Sequence, residues 1–243
     1  MLKTILNFLY PLDCAVCGRP QPLDSRRRVC AGCLASIERI TEPFCSRCGA
    51  PIATGAADQA GACERCRNSP PRYAIARSAL RYHPSSDQQA GTVGSMIRRL
   101  KYGLDQSLAP ALDECIGDTL TFEPGMHDLV VCVPLHRSRL RWRGYNQAAL
   151  LGAAVARRLG CAFDSTVLAR VRSTPPQTAL NHRLRARNVR RAFALAEPRR
   201  IANRRVLLVD DVMTTGATAD ECAGVLLDAG AATVDVFTLA RVL

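Results

Sequence analysis

The sequence predicts an α/β fold, a small parallel sheet flanked by helices, preceded by a cysteine-rich module. Three observations carry that prediction. Residues 206–209 are the apolar run Val-Leu-Leu-Val, followed by a loop of small residues and a helical stretch over 219–229. Residues 129–133 form a second apolar run, again with a loop and then a helical pattern over 147–159. Eight of the 12 cysteines fall in four Cys-x-x-Cys pairs near the N-terminus. Short, wholly apolar runs suit strands buried on both faces, as in a parallel sheet.

At 243 residues the chain accommodates a medium α/β domain plus a small module. The expected division is 1–70 for the cysteine module and 71–243 for the α/β domain. No stretch approaches the length of apolar sequence that a membrane span requires. Residues 1–10 contain a brief apolar run and Lys3 but no small-residue cleavage site, so they read as a packing helix rather than a signal peptide. The formal charge of +12 is concentrated. Between Pro134 and Arg205 there are 17 arginines against Asp164 and Glu197. Pyrophosphate and nucleic acid are the natural partners of such a surplus.

The cysteine pairs are Cys14/Cys17, Cys30/Cys33, Cys45/Cys48 and Cys63/Cys66. Two-residue spacing lets both thiolates of a pair reach one tetrahedral Zn²⁺, and a second pair completes a four-sulfur site. Cys14-Ala-Val-Cys17-Gly18-Arg-Pro20 recurs as Cys45-Ser-Arg-Cys48-Gly49-Ala-Pro51. The glycine permits the tight knuckle that aims both sulfurs at the metal. Two structural zinc sites are expected. The sequential pairing takes Cys14, Cys17, Cys30 and Cys33 for one and Cys45, Cys48, Cys63 and Cys66 for the other. A cross-braced pairing is the alternative, and the completeness of the repeat unit favours the sequential one. Disulfides fit poorly in a chain that reads as intracellular. Cys115, Cys132, Cys161 and Cys222 are dispersed among apolar neighbours and read as core.

Residues 73–82 alternate loosely and predict a strand or hairpin. Residues 88–102 have helical spacing, with Val93, Met96, Ile97 and Leu100 on one face. Arg98, Arg99 and Lys101 lie off that face and read as cations complementing a helix C-terminus. Residues 109–120 predict a further helix. After the strand at 129–133, residues 135–147 read as a loop with four arginines and the only tryptophan, Trp142. Residues 167–171 predict a short strand. Residues 172–191 form a long arginine-rich stretch that reads as a lid. Residues 233–239 supply the last strand.

The richest chemistry follows the strand at 206–209. Asp210 and Asp211 come first, then Thr214, Thr215, Gly216, Ala217 and Thr218 before the helix. A strand, a small-residue loop and a helix N-terminus make an anion site, because unpaired backbone N–H groups point into the loop. The carboxylates repel phosphate, so they should face sugar hydroxyls or Mg²⁺. No Gly-Lys-Ser/Thr follows, so this is not a Walker loop. A threonine-capped turn alone explains one threonine but not the whole constellation.

This loop resembles the ribose-5-phosphate loop of type I phosphoribosyltransferases. The arginine-rich loop after 129–133 is similar in position to their pyrophosphate loop. Gln177…Arg187-Asn188-Val189…Phe193 resembles the flexible catalytic loop of the amidophosphoribosyltransferase-like branch. Together with the double cysteine module, Leu-Lys101-Tyr and Arg143-Gly144-Tyr145-Asn146-Gln147, these pieces resemble the ComF family over nearly the whole chain. That family implies a cytoplasmic protein with a zinc ribbon on a phosphoribosyltransferase domain, associated with DNA uptake or use of DNA as a nutrient.

The resemblance implies residue roles. Asp210 and Asp211 would hold the ribose hydroxyls of phosphoribosyl pyrophosphate directly or through Mg²⁺, and residues 214–218 would bind its 5′-phosphate. Arg137, Arg141 and Arg143 would steady the pyrophosphate, and Arg183 and Arg187 would close over the reacting centre. The alternative is a non-catalytic factor that handles single-stranded DNA and a DNA-processing partner, with the arginine-rich face on the backbone and Trp142 and Tyr145 stacking on bases.

Overall fold

The computed structural model describes residues 12–22, 28–53, 61–83, 91–103, 105–117, 119–174, 187–196 and 201–243. Its centre is a five-stranded, wholly parallel sheet. In chain order its strands are β3 (Ala76–Tyr82), β4 (Leu129–Cys132), β5 (Ala162–Asp164), β8 (Arg205–Met213) and β9 (Thr233–Val242). Their spatial order is β3-β9-β8-β4-β5. All four residues of β4 are buried, as are Val206, Leu207, Leu208 and Val209 of β8. Those are the apolar runs that predicted strands covered on both faces.

The helices cover the two faces. They are α3 (Gly91–Tyr102), α4 (Ala109–Gly117), α5 (Arg137–Arg143), α6 (Gln147–Leu159) and α7 (Ala217–Asp228). One core cluster joins Met96, Leu100, Leu112, Ile116, Leu151 and Val155 to Val130, Leu207, Phe237 and Leu239. The other packs Cys222, Ala223 and Leu226 of α7 against Val131, Leu208 and Val236. A small antiparallel pair, β6 (Leu168–Arg170) and β7 (Phe193–Leu195), stands outside the main sheet.

The topology fixes where a ligand can sit. From β4 the chain adds β5 on one side, then returns to add β8 on the other. Helices leave these neighbours in opposite directions, so a crevice opens beyond their carboxyl ends. Cys132 pairs with Val209, and the Val133 N–H donates to the Val209 carbonyl at 2.9 Å. The crevice therefore lies against Asp210 and Asp211 on one strand and Pro134 on the other.

The cysteine module comprises β1 (Leu12–Asp13), β2 (Pro20–Gln21), α1 (Ala31–Ala35) and α2 (Glu64–Asn68). It covers the edge of β3. Ile40 N–H donates to the Ala79 carbonyl at 2.9 Å, Arg81 N–H to Glu38 at 2.8 Å, and Ala76 N–H to Arg47 at 2.6 Å. An exposed strand edge is a template for aggregation, and these backbone bonds close it. Cys14, Ala15, Val29, Leu34 and Ile37 join the same core cluster as Leu80, Val93 and Met96. No helix among the described residues is long and apolar enough to cross a membrane.

Two expectations need correction. Residues 135–147 are not a loop throughout: Arg137–Arg143 is helical, capped by the His136 side chain at one end and by Gly144 at φ 75° at the other. The strand before the loop runs to Met213 and carries both aspartates within it. The lid expected over 172–191 lies for the most part outside the described residues, and its described ends are tied together. Val171 N–H donates to Ala192, Arg172 Nη2 donates to the Asn188 and Arg190 carbonyls at 2.8 and 2.6 Å, and β7 follows directly. Residues 175–186, with Gln177 and Arg183, lie outside the described residues.

Candidate functional site

The two cysteine tetrads form where the sequential pairing placed them. The sulfurs of Cys14, Cys17, Cys30 and Cys33 all lie within 4.8 Å of one another, and so do those of Cys45, Cys48, Cys63 and Cys66. The repeat folds the same way twice. Gly18 N–H donates to Cys14 and Gly49 N–H to Cys45, both at 2.9 Å. Both glycines have positive φ, 71° and 68°. In each unit the third cysteine starts a short helix, Cys30 for α1 and Cys63 for α2. Burial works against a thiolate at Cys14 and Cys45, but backbone N–H groups hold both down at about 6. Four sulfurs at this separation, with one thiolate in each tetrad favoured by its backbone, fit tetrahedral Zn²⁺.

The second centre sits at the crevice. Asp211 is 5% exposed, and its Oδ2 lies 2.9 Å from Lys101 Nζ at the end of α3. Burial opposes the Lys101 charge, yet the Asp211 carboxylate lifts the ammonium above its ordinary value. Asp210 accepts from the Asp211 N–H at 2.8 Å. Burial and the neighbouring Asp211 charge push the Asp210 carboxyl up, to about 8. Like charges side by side in a desolvated place cannot both ionise freely.

The loop after β8 then turns at Gly216, φ 81°, which is the N-cap of α7. No side chain caps the α7 N-terminus, although Thr215 Oγ1 accepts from the Ala217 N–H at 3.3 Å. Thr214, Thr215, Ala217 and Thr218 are half-buried and Gly216 is buried. A 12-residue helix thus presents its positive end beside two carboxylates.

Across the crevice, the segment Arg143 to Gln147 ties α5 to α6. Arg143 is buried and its Nη1 donates to Gln147 Oε1 at 2.6 Å. Tyr145 O–H donates to the Leu100 carbonyl at 2.5 Å. The Asn146 side chain accepts from Ala148 N–H and donates to the Val133 carbonyl at 3.0 Å, joining the start of α6 to the end of β4. Arg137 and Arg141, four apart on α5, are exposed. The three arginines thus separate into two exposed side chains and one buried one. Arg187 is exposed at the start of the segment leading to β7.

Sequence reasoning missed three residues here. Lys101 read as a helix-end cation but partners Asp211; its place in Leu-Lys101-Tyr was the available signal. Arg170, at the end of β6, donates Nη2 to Thr174 Oγ1 and lies 5.4 Å over the Phe193 ring. Its positive charge also acts on Asp210. Arg139 donates Nη2 to the Thr174 carbonyl at 3.1 Å, so both arginines converge on one buried threonine.

Two domain models match the chain. The double zinc ribbon domain model matches residues 5–67, and the phosphoribosyl transferase domain model matches residues 146–243. The chain is 36% identical over 236 residues to the DNA utilization protein YhgH of Salmonella typhimurium, covering 95% of this chain and 97% of that protein. It is 30% identical to competence protein F of Haemophilus influenzae, covering 89% and 92%. This chain belongs to the ComF family. Competence protein ComFC of Bacillus subtilis is 27% identical over 88% of the chain and 84% of its own length. Among solved structures, adenine phosphoribosyltransferase of Thermoanaerobacter pseudethanolicus aligns with TM-score 0.36 at 17% identity over 56% of this chain and 82% of its own. The parallel sheet with flanking helices is the phosphoribosyltransferase fold, and the cysteine tetrads are its zinc-ribbon companion.

Proposed function

We propose that this ComF-family protein binds phosphoribosyl pyrophosphate together with Mg²⁺ at the crevice between β4 and β8, and acts as a phosphoribosyltransferase in the use of DNA or its nucleotides. One observation carries the reading: the Asp210–Asp211 pair and the open N-terminus of α7 share a single loop at the topological switch of the sheet. A phosphorylated sugar needs both an anion site and hydroxyl acceptors, and this loop supplies both.

In this reading the N–H groups and hydroxyls of residues 214–218 hold the 5′-phosphate. Asp210 and Asp211 accept from the ribose 2- and 3-hydroxyls. Lys101 orients the Asp211 carboxylate before ligand arrives. Arg137 and Arg141 face the pyrophosphate from α5, Arg143 adds its charge from a buried place beside Gln147, and Arg170 adds charge from β6. Arg183 and Arg187 close from the segment between β6 and β7. Positive charge converging on the leaving group and a fixed ribose account for acceleration through charge stabilisation and positioning. The acidic pair fits a cation: Asp210 is desolvated beside a second carboxylate, and a divalent ion relieves that repulsion. Bound Mg²⁺ would neutralise pyrophosphate oxygens. Replacing both Asp210 and Asp211 with asparagine should abolish Mg²⁺-dependent binding of phosphoribosyl pyrophosphate in a titration; unchanged affinity would sink the reading.

The names of the relatives, DNA utilization and competence proteins, support the biological setting. A second reading, single-stranded DNA handling with a DNA-processing partner, has its own observation. Trp142 is 63% exposed and stands edge-on to exposed Tyr102 at 6.4 Å, on the helix that exposes Arg137 and Arg141. Tyr102 takes the stacking place expected of Tyr145, whose hydroxyl is occupied by Leu100. Binding of an oligonucleotide that falls steeply with salt and is lost in Trp142→Ala supports this reading; salt-independent binding contradicts it.

A further inference from the structure

The second cysteine tetrad lies against the back of the loop that leads into α7. Arg241, near the end of β9, is buried and donates Nη1 to the Cys48 carbonyl at 2.8 Å. The same Nη1 lies 2.9 Å from Met213 Sδ, at the last position of β8. One guanidinium therefore spans from a zinc-knuckle residue to the residue before Thr214. The first tetrad has no comparable link among the described residues. Its neighbourhood is α3, where Ser36 Oγ meets Thr92 Oγ1 at 2.8 Å.

Two further side chains reach Gly216 from this side. A Cβ built on Gly216 would stand 3.1 Å from the Tyr73 hydroxyl and 3.5 Å from Arg65 Nη2. Arg65 is exposed and lies on α2, between the tetrad ligands Cys63 and Cys66. Tyr73 is wholly buried, and its hydroxyl has no hydrogen-bond partner. A buried hydroxyl without a partner is costly, and an acceptor placed here would offset that cost. The Tyr73 hydroxyl and the Arg65 guanidinium flank the Cβ-sized space at the α7 N-cap, and a helix N-terminus and a guanidinium both favour an anion.

We propose that Tyr73 and Arg65 complete a phosphomonoester subsite at the N-terminus of α7, so that the second zinc ribbon is part of the sugar-phosphate site. Tyr73 donates its O–H to a phosphate oxygen, and Arg65 adds charge-assisted donors from the solvent side. The second tetrad holds Arg65 in place, and Arg241 holds Met213 against that tetrad. Gly216 is required because any Cβ would enter the space these two groups share. The inference rests on the sugar-phosphate reading of the loop.

The test is calorimetric titration of the full-length, zinc-loaded protein with ribose 5-phosphate, and separately with inorganic pyrophosphate. Thr218→Val reports on the loop itself, Tyr73→Phe and Arg65→Ala on the added groups. Expected is about a tenfold loss of ribose 5-phosphate affinity for each of the last two, with pyrophosphate affinity unchanged. Tyr73→Phe should also leave unfolding stability equal or higher, since it removes an unsatisfied group; a purely structural hydroxyl would lower it. Cys66→Ser should weaken ribose 5-phosphate while Cys17→Ser does not. Wild-type affinity in Tyr73→Phe and Arg65→Ala, alongside a loss in Thr218→Val, overturns this inference and leaves the loop reading standing. No binding of ribose 5-phosphate by the wild type overturns both.

Discussion

Lys101 Nζ lies 2.9 Å from Asp211 Oδ2, although 110 residues separate them in the chain. The lysine closes α3 and the aspartate lies near the end of β8. The pair therefore locks the helix that covers one face of the sheet to the acidic end of its central strand. Asp211 is 7% exposed at its side chain and Lys101 25%, so this is an ion pair largely withdrawn from water.

Removing one partner should leave a buried carboxylate uncompensated. Lys101→Met is expected to cost about 3 kcal/mol of unfolding stability, at the low end for a broken buried pair because the lysine is a quarter exposed. Lys101→Met with Asp211→Asn should recover most of that loss. Urea denaturation of the three variants measures the coupling. Additive losses would mean that the pair carries no coupling.

Asp210 gives a pH signature. Its folded carboxyl is raised to about 8 from 3.8, by burial and by Asp211. The native state thus holds a proton that the unfolded chain has released, so the contribution is fully present below about pH 4 and lost as pH rises through about 8. Asp210→Asn should therefore raise the melting temperature at pH 8.5 more than at pH 5. In the proposed function ligand and Mg²⁺ take the ionised form, so binding at pH 7 should release protons. Titration in buffers of different ionisation enthalpy reads that release directly; none detected contradicts the raised carboxyl.

How much of this was legible depends on sequence distance. The zinc knuckles and the Asp-Asp…Thr-Thr-Gly-x-Thr loop are local: the chemistry lies within about a dozen residues and the spacing itself aims the groups. The apolar runs of β4 and β8 are local too. Lys101, Arg170 and Tyr73 are not, because their meaning comes from partners on other strands. Lys101 in isolation is a basic residue at a helix end, as it read. Arg137–Arg143 hid as a helix because its charged run shows no apolar stripe, and its caps, His136 and Gly144, are weak signals alone. β7 was missed for a related reason: three residues behind an arginine-rich stretch give no alternation to read.

The two knuckle glycines offer a controlled comparison. Gly18 and Gly49 share nearly the same φ, but a Cβ on Gly18 meets nothing within 4 Å, whereas one on Gly49 would lie 2.4 Å from the Ala76 carbonyl oxygen. Gly18→Ala should cost about 1 kcal/mol for the left-handed backbone alone. Gly49→Ala should cost at least about twice that, because the knuckle must also retreat from β3. Equal losses in thermal or urea unfolding would refute the close packing of the second ribbon on the sheet.

Zinc content follows from the pairing. The wild type should carry two zinc ions per chain, and Cys17→Ser and Cys63→Ser should each lose one, measured by atomic emission on protein purified without added metal. A cross-braced module would tend to lose order at both sites together, since each pair of knuckles would be shared.

Calorimetric titration of the wild-type protein with phosphoribosyl pyrophosphate, in Mg²⁺ and then in excess EDTA with zinc content verified afterwards, tests the central claim most directly. Saturable binding of one ligand per chain, strong in Mg²⁺ and much weakened without it, is the predicted result. No heat or displacement at millimolar ligand in the presence of Mg²⁺ would contradict it.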